Sequence, residues 1–263
     1  MDRLKILITG KNGYIAKSIH SYLYSKYDIT TIGRQDFDLT NEKSTLEWFQ
    51  DKYFDLVIHT AVIGGNRLLE ENSDVVIKNL LMYDNLIKCR SHFNKFIHFG
   101  SGAEIKHSTP YGFSKHIIKQ LMKPDLKNVN VRIYAVFDEN ELGTRFIKSN
   151  ILRYINRENI IIHQDKKMDF FYMKDLVSLI EWLINQREEK FPTHEINCSY
   201  LEKYTLIQIA EIINSLDEHK VNIVIENKGE GDDYCETHPI MPFKLIGLED
   251  GIKEVYNILK QQK

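Results

Sequence analysis

The sequence predicts an α/β protein built on a doubly wound parallel sheet, with a small α/β region toward the C-terminus. Three observations predict it. Short apolar runs alternate with stretches of helical period through the first 135 residues. The runs are continuous in Ile, Leu and Val, as strands buried on both faces are. A glycine-containing turn joins the first run to the first helical stretch, and right-handed crossovers then lay helices on both sides of the sheet.

In chain order, Leu4–Thr9 is the first strand and stops at Gly10. From Tyr14 to Lys26 the apolar residues Ile15, Ile19 and Leu23 recur every four positions and mark one buried helical face. Ile29–Ile32 reads as a strand, Ser44–Lys52 as a helix and Asp55–His59 as a strand. Val75–Cys89 is a long amphipathic helix, Phe93–Gly100 a strand, Tyr111–Met122 a helix and Val129–Tyr134 a strand. After Phe137 the rhythm loosens into a helix at Phe146–Ile155, a short strand at Ile160–His163 and a helix at Leu176–Ile184. Glu195–Cys198 adds a further strand, and Leu206–Ile213 and Gly251–Leu259 are helices. Asn227–Phe243 contains Gly, Pro and acids and reads as a mobile connection. Residues 1–137 are expected to form the larger domain, with 168–198 returning to it, while 138–167 and 199–263 form the smaller region.

Thirty-five Lys and Arg answer 37 Asp and Glu among 263 residues, without a basic stripe, which speaks against a nucleic-acid surface. Cys89, Cys198 and Cys235 are scattered and sit in no His or Cys cluster, so reduced thiols and no metal site are expected. No apolar run reaches membrane-spanning length and the first residues carry no secretory signal, so a cytoplasmic location is expected.

The turn Gly10-Lys11-Asn12-Gly13-Tyr14-Ile15-Ala16 has G-x-x-G-x-x-A spacing. Gly10 permits the sharp exit from the strand, Gly13 lets backbone approach a pyrophosphate, and Ala16 lets the helix pack close. A free helix N-terminus then offers N–H groups to phosphate. The second strand ends at Ile32-Gly33-Arg34, where an acid would hold an adenosine ribose hydroxyl. A guanidinium there suits a 2′-phosphate instead, so NADP is favoured over NAD. Tyr111 and Lys115 stand four residues apart on one helical face, where an ammonium stabilises a phenolate and makes the phenol usable as an acid or base. Ser101 follows the fourth strand, at the sheet end where open α/β folds hold ligands.

Together these motifs resemble an extended short-chain dehydrogenase/reductase, the NAD-dependent epimerase/dehydratase group with a Rossmann sheet, acting on nucleotide-linked sugars. The resemblance implies that Ser101, Tyr111 and Lys115 are catalytic. It also implies that Gly10, Asn12, Gly13, Tyr14, Ile15 and Arg34 bind the cofactor, with Tyr111 and Lys115 touching it. Asp38-Leu39 resembles the pair that contacts adenine, and His59-Thr60-Ala61, followed by Val62, resembles the segment beside the nicotinamide ribose. Asn79 matches a helix asparagine that supports the active-site sheet. Met168–Leu176, containing Tyr172, is similar to a stretch that closes the sugar pocket, with Met168 in place of the usual arginine, and Gly247-Leu248 with Gly251-Ile252 is similar to the family's C-terminal pattern.

The spacing of Arg34, Asp38 and Leu39 and the Val62-Ile63-Gly64-Gly65 segment look most like the GDP-fucose synthase-like branch and the nucleotide-sugar 4-keto reductases. Ala103 replaces the cysteine that epimerising members carry two residues after the serine, and Asp138–Arg145 holds no histidine. The T-D-E of the dehydratases is absent, and Glu104 reads as a surface carboxylate rather than a base. The resemblance therefore implies an NADPH-dependent reductase of a keto group, at carbon 4, on a nucleotide-diphosphate deoxysugar in surface-polysaccharide precursor synthesis. A resident-NAD epimerase and a non-catalytic NADP-binding regulator stay open. Arg145, Phe146 and Lys148 follow the fifth strand and either meet the substrate diphosphate or form a solvated helix face. Nine residues separate Ser101 from Tyr111, a short loop for the family, so part of the pocket wall is missing or comes from a partner subunit. Val75–Cys89 and Tyr111–Met122 resemble the helix pair that forms homodimers in relatives.

Overall fold

The computed structural model describes residues 3–66, 69–122, 127–186, 190–237, 241 and 243–262. The chain runs through β1 (Lys5–Thr9), α1 (Tyr14–Leu23), β2 (Asp28–Ile32), α2 (Glu42–Phe49), β3 (Phe54–His59), α3 (Ser73–Lys88) and β4 (Phe93–Ser101). It continues through α4 (Ala103–Lys106), α5 (Pro110–Leu121), β5 (Asn128–Ile133), β6 (Val136–Phe137), α6 (Phe146–Ile155), β7 (Ile160–Asp165) and β8 (Phe171–Tyr172). The last elements are α7 (Met173–Ile184), β9 (Glu195–Cys198), α8 (Leu206–Asn214), β10 (Ile223–Glu230) and α9 (Leu248–Gln261). Two compact units result, Met1–Arg132 with Val177–Ile196 and Ile133–Leu176 with Asn197–Lys263, so 133–137, 168–176 and 197–198 group with the second unit. No helix among the described residues is long and apolar enough to cross a membrane.

The main sheet has the order β2-β1-β3-β4-β5-β9. β1 pairs in parallel with both β2 and β3, and β3 with β4, in a register that aligns Thr9, His59 and His98 in one row. Because β1 lies between β2 and β3, the chain steps from β1 to β2 on one side and then crosses back to β3 on the other, which opens a crevice beyond the C-terminal end of β1. Leu7, Val57 and Phe96 fill the sheet's interior, where Phe49 of α2 and Leu86 of α3 pack with them. Helix starts are set by local chemistry. Asn41, Asn72 and Thr109 each cap a helix through a side-chain oxygen. The Asn41 cap starts α2 at Glu42, two residues before the apolar period suggests.

The second unit has its own core, in which Ile147, Tyr154, Tyr172 and Ile252 are fully buried. Sequence reading makes Asn227–Phe243 a mobile connection, and the structure corrects this over residues 227–234. Residues 227–230 belong to β10, which pairs in parallel with β7. The chain beyond it stays bonded, with Gly231 N–H donating to the Asp165 carbonyl at 2.7 Å and Tyr234 N–H to that of Lys167 at 2.9 Å. Polar composition masked these strand contacts, because an edge strand with one wet face needs few apolar residues. His238, Pro239, Ile240 and Pro242 lie outside the described residues.

Gly251 of α9 lies flat on the Tyr172 ring: a Cβ there would sit 2.8 Å from Cγ and 3.1 Å from Phe137 Cζ. Helix propensity alone favours alanine by about 1 kcal/mol, but overpacking a tight core costs about 1–3 kcal/mol. Gly251→Ala is therefore expected to lower the thermal midpoint. A raised midpoint would show that the ring contact yields.

Candidate functional site

The first part of the site is the turn after β1. Gly10 has φ +75°, and a Cβ on it would lie 2.9 Å from the Ala61 backbone nitrogen, so the position needs glycine for both conformation and space. Gly13 N–H closes the turn on the Gly10 carbonyl at 2.8 Å, and Lys11 N–H donates to the Ile32 carbonyl at 2.9 Å, tying the turn to β2. Gly13 is the N-cap of α1 and supplies no capping side chain. The helix thus presents its positive end to the crevice without an internal anion.

A groove of about 650 Å³ opens there, within the first unit. Gly10, Asn12 and Gly13 line it from the turn, Arg34, Asp38 and Leu39 from the segment after β2, and Thr60, Ala61 and Val62 from the segment after β3. Tyr14 and Ile15 begin α1 beside it without lining it. Arg34 is exposed at the rim. Next to it, Asp36 accepts from Lys11 Nζ at 2.7 Å and Gly33 N–H at 2.8 Å, and the Lys11 ammonium holds its carboxyl below the usual range. Asp38 receives both the N–H and the hydroxyl of Thr40. The close backbone, the uncapped helix end and the exposed cation fit an elongated dinucleotide diphosphate.

The second part stands at the tips of β3, β4 and α5. Ser101 ends β4, its Oγ accepting the Ala103 N–H at 3.2 Å. Tyr111 opens α5, and Gly65 lies against its ring: a Cβ there would be 3.1 Å from Cζ. Glu71, unmarked by the sequence motifs, joins these two pieces by accepting both the Gly65 and the Tyr111 N–H. Asn79 accepts from Ile63 N–H, donates to the Ile63 carbonyl, and reaches the Ser114 hydroxyl at 3.0 Å. It is a brace beneath the groove, between the β3 loop and α5, and not part of the groove wall.

Lys115 is 3% exposed. Its Nζ lies 5.9 Å from the Tyr111 ring centre, donates to the Phe99 carbonyl at 2.6 Å, and stands 3.4 Å from His98 Nε2. Burial lowers its pKa to about 8, against the raising effect of Glu104. Beneath it the aligned row is polar. Thr9 Oγ1 lies 2.8 Å from His59 Nδ1, and the His59 and His98 rings are 5.5 Å apart. Glu104, expected at the surface, is instead 1% exposed and ion-paired to Arg132 at 2.6 Å. The signal was Arg132 itself, since a guanidinium within the apolar run of a central strand demands a buried acid.

The remaining residues belong to the second unit. Arg145 is exposed at the start of α6, and the Phe146 ring meets that of Phe170 at a tilt, 5.7 Å between centroids. Lys148 Nζ donates to the Glu139 and Glu141 carbonyls at 2.6 and 2.7 Å, and the buried Tyr172 gives its hydroxyl to Glu254 at 2.9 Å. Both are engaged in that unit's own fold.

Residues 6–199 match the model of the NAD dependent epimerase/dehydratase family. CDP-abequose synthase of Yersinia pseudotuberculosis is 21% identical over 248 residues, 84% of this chain and 87% of that protein. The fold is shared with a GDP-mannoheptose C4 reductase from Campylobacter jejuni, solved with NADP bound, at TM-score 0.80 and 15% identity over 99% of both chains. It is also shared with UDP-glucuronic acid 4-epimerase from Bacillus cereus, solved with UDP-glucuronic acid and NAD, at TM-score 0.76 and 17% identity over 99% of this chain and 100% of that one.

The histidine row makes stability depend on pH. Burial, then the Lys115 charge, pushes His59 down to about 3 and His98 well below its ordinary value, so both are neutral when folded. In the unfolded chain they protonate near about 6.5. Their contribution is complete above that pH and is lost progressively as pH falls, for His59 toward about 3 and by on the order of 2 kcal/mol at pH 5. Thermal melts are expected to show a fall between pH 8 and pH 5 that shrinks in His98→Phe. An undiminished fall in the variant would contradict a neutral buried His98.

Proposed function

The chain belongs to the NAD dependent epimerase/dehydratase family, and from that premise we propose that it is an NADPH-dependent reductase of a keto group on a nucleotide-linked deoxysugar. Carbon 4 is the proposed position, and surface-polysaccharide precursors are the proposed product class. The carrying observation is Lys115, buried beside Tyr111 on a helix fastened to the β4 tip that ends in Ser101. Ala103 and the ion-paired Glu104 support reduction over epimerisation or dehydration, because neither offers a base beside a keto carbon. The names of the C4 reductase and the abequose synthase support the substrate class.

When bound, a reduced nicotinamide supplies the hydride. Ser101, its Oγ already accepting from Ala103, donates its proton toward the substrate carbonyl and orients it. Tyr111 gives its hydroxyl proton to the forming alkoxide, and the Lys115 ammonium stabilises the phenolate left behind. Arg34 takes the cofactor's 2′-phosphate, and the exposed Arg145 is the cation offered to the substrate diphosphate.

The three cysteines are free thiols, in keeping with a cytoplasmic setting. A homodimer is part of the same reading: Ile77 and Leu81 on α3 and Phe113 and Leu121 on α5 are exposed, on two helices that pack against one another.

Incubation with NADPH and a panel of 4-keto-6-deoxy nucleotide sugars, followed at the reduced-nicotinamide absorbance, is expected to show oxidation with one of them. Consumption with none, together with NAD retained through purification, would favour the epimerase. Tyr111→Phe is expected to lower kcat about 10³-fold with cofactor affinity preserved; full activity would remove Tyr111 from the mechanism. Arg34→Ala is expected to raise the KM for NADPH about tenfold while leaving that for NADH unchanged. Reduction should slow as pH rises through about 8, where Lys115 loses its proton.

A further inference from the structure

The mechanism above leaves one buried carboxylate without a part. Glu104 Oε2 accepts the Ser101 N–H at 3.1 Å, and Oε1 accepts from Asn130 Nδ2 at 2.9 Å and Arg132 Nε at 2.6 Å. Its backbone is fastened to α5 as well. The Glu104 carbonyl lies 3.1 Å from His116 Nδ1, and the preceding carbonyl, of Ala103, presses on Gly112, where a Cβ would come within 2.5 Å. Lys115 lies on α5 between those two contacts. There is no slack around the carboxylate: a Cβ on Gly100 would fall 2.7 Å from Oε2.

The charges explain why an acid is needed. Arg132 has a second partner in Glu195 at 2.6 Å, and Glu195 also holds Lys119 at 2.6 Å. Arg132 and Glu195 would therefore remain paired without Glu104. Lys115 would not. Facing it are neutral imidazoles, His98 on β4 and His59 on β3, the phenol of Tyr111 on its own helix, and the Phe99 carbonyl, with Tyr83 of α3 behind His98. Among the described residues Glu104 is the anion that acts on Lys115.

We propose that Glu104 is a positioning residue for the catalytic groups, fixing the Ser101 backbone at the strand tip and supplying the carboxylate on the segment packed against α5 where Lys115 stands. This rests on the reading of Ser101 and Lys115 as catalytic. Burial alone drives the lysine toward the neutral form, and Glu104 opposes it, leaving the pKa at about 8. Removing the carboxylate charge must lower that value further. A lysine deprotonated at neutral pH would no longer stabilise the Tyr111 phenolate.

The test is direct titration of Lys115 by NMR in full-length protein labelled at lysine Cε, with its resonance assigned through Lys115→Met. In Glu104→Gln the midpoint is expected at least about one pH unit below that of the unaltered protein. Should that variant fail to fold, Glu104→Gln/Arg132→Met removes both halves of the ion pair and leaves Glu195 with Lys119; a downward shift smaller than that of the single variant is expected, because loss of the neighbouring guanidinium offsets part of it. The alkaline limb of kcat/KM should move by the same amount, whereas a merely structural role would lower kcat without moving the limb. Glu104→Asp should return the midpoint toward its original value. An unshifted midpoint overturns the proposal. A shifted midpoint in a protein that reduces no keto-sugar upholds the Glu104–Lys115 coupling and counts against the reductase reading alone.

Discussion

The contact on which the rest depends is the one between α4 and α5. Only a residue without a side chain can stand at position 112, because the Ala103 carbonyl occupies the space a Cβ would take. That approach is what lets Lys115 pass beneath Tyr111 to the Phe99 carbonyl on β4. It also turns the four-residue helix after Ser101 into a rigid link between strand tip and helix. The short segment between Ser101 and Tyr111 is thus a tight strut, with Thr109 capping α5 through the Gly112 N–H.

A second constraint follows from the first. Burying Lys115 so deeply removes the water that would solvate it, and the sheet supplies substitutes that carry no charge. The imidazoles of His59 and His98 are held neutral by the same burial and by the lysine itself. The row from Thr9 to Lys115 therefore runs from the glycine turn to the ammonium as a chain of dipoles with a single cation at its end. Such an arrangement is costly to leave half-made, and Thr9, His59 and His98 sit on the central strands β1, β3 and β4, where register is fixed by neighbours on both sides.

The elements of the first unit were legible because their signals are local. Continuous apolar runs marked the strands and helical periods marked the helices, although the caps at Asn41 and Asn72 start two of them ahead of the apolar period. The glycine turn was legible for the same reason, as were the spacing of Tyr111 and Lys115 and the place of Ser101 after a strand. What escaped is long-range. Glu104 looked like a surface acid because its partner, Arg132, lies 28 positions away and meets it only through the sheet. Glu71 clamps a loop to a helix start 40 positions on, and no spacing rule encodes that. β10 escaped for a different reason: its polar residues face water at a sheet edge, and composition there resembles a loop.

The proposed chemistry makes the chain one that places a proton donor, a buried cation and an orienting hydroxyl before a hydride donor. The most direct measurement is the fate of the hydride. With NADPH deuterated at the transferring position of the nicotinamide, the account predicts one deuterium per product sugar, on the carbon that had carried the keto oxygen, with one cofactor oxidised per turnover. A product free of deuterium, or sugar interconverted with no net cofactor oxidation, would contradict it.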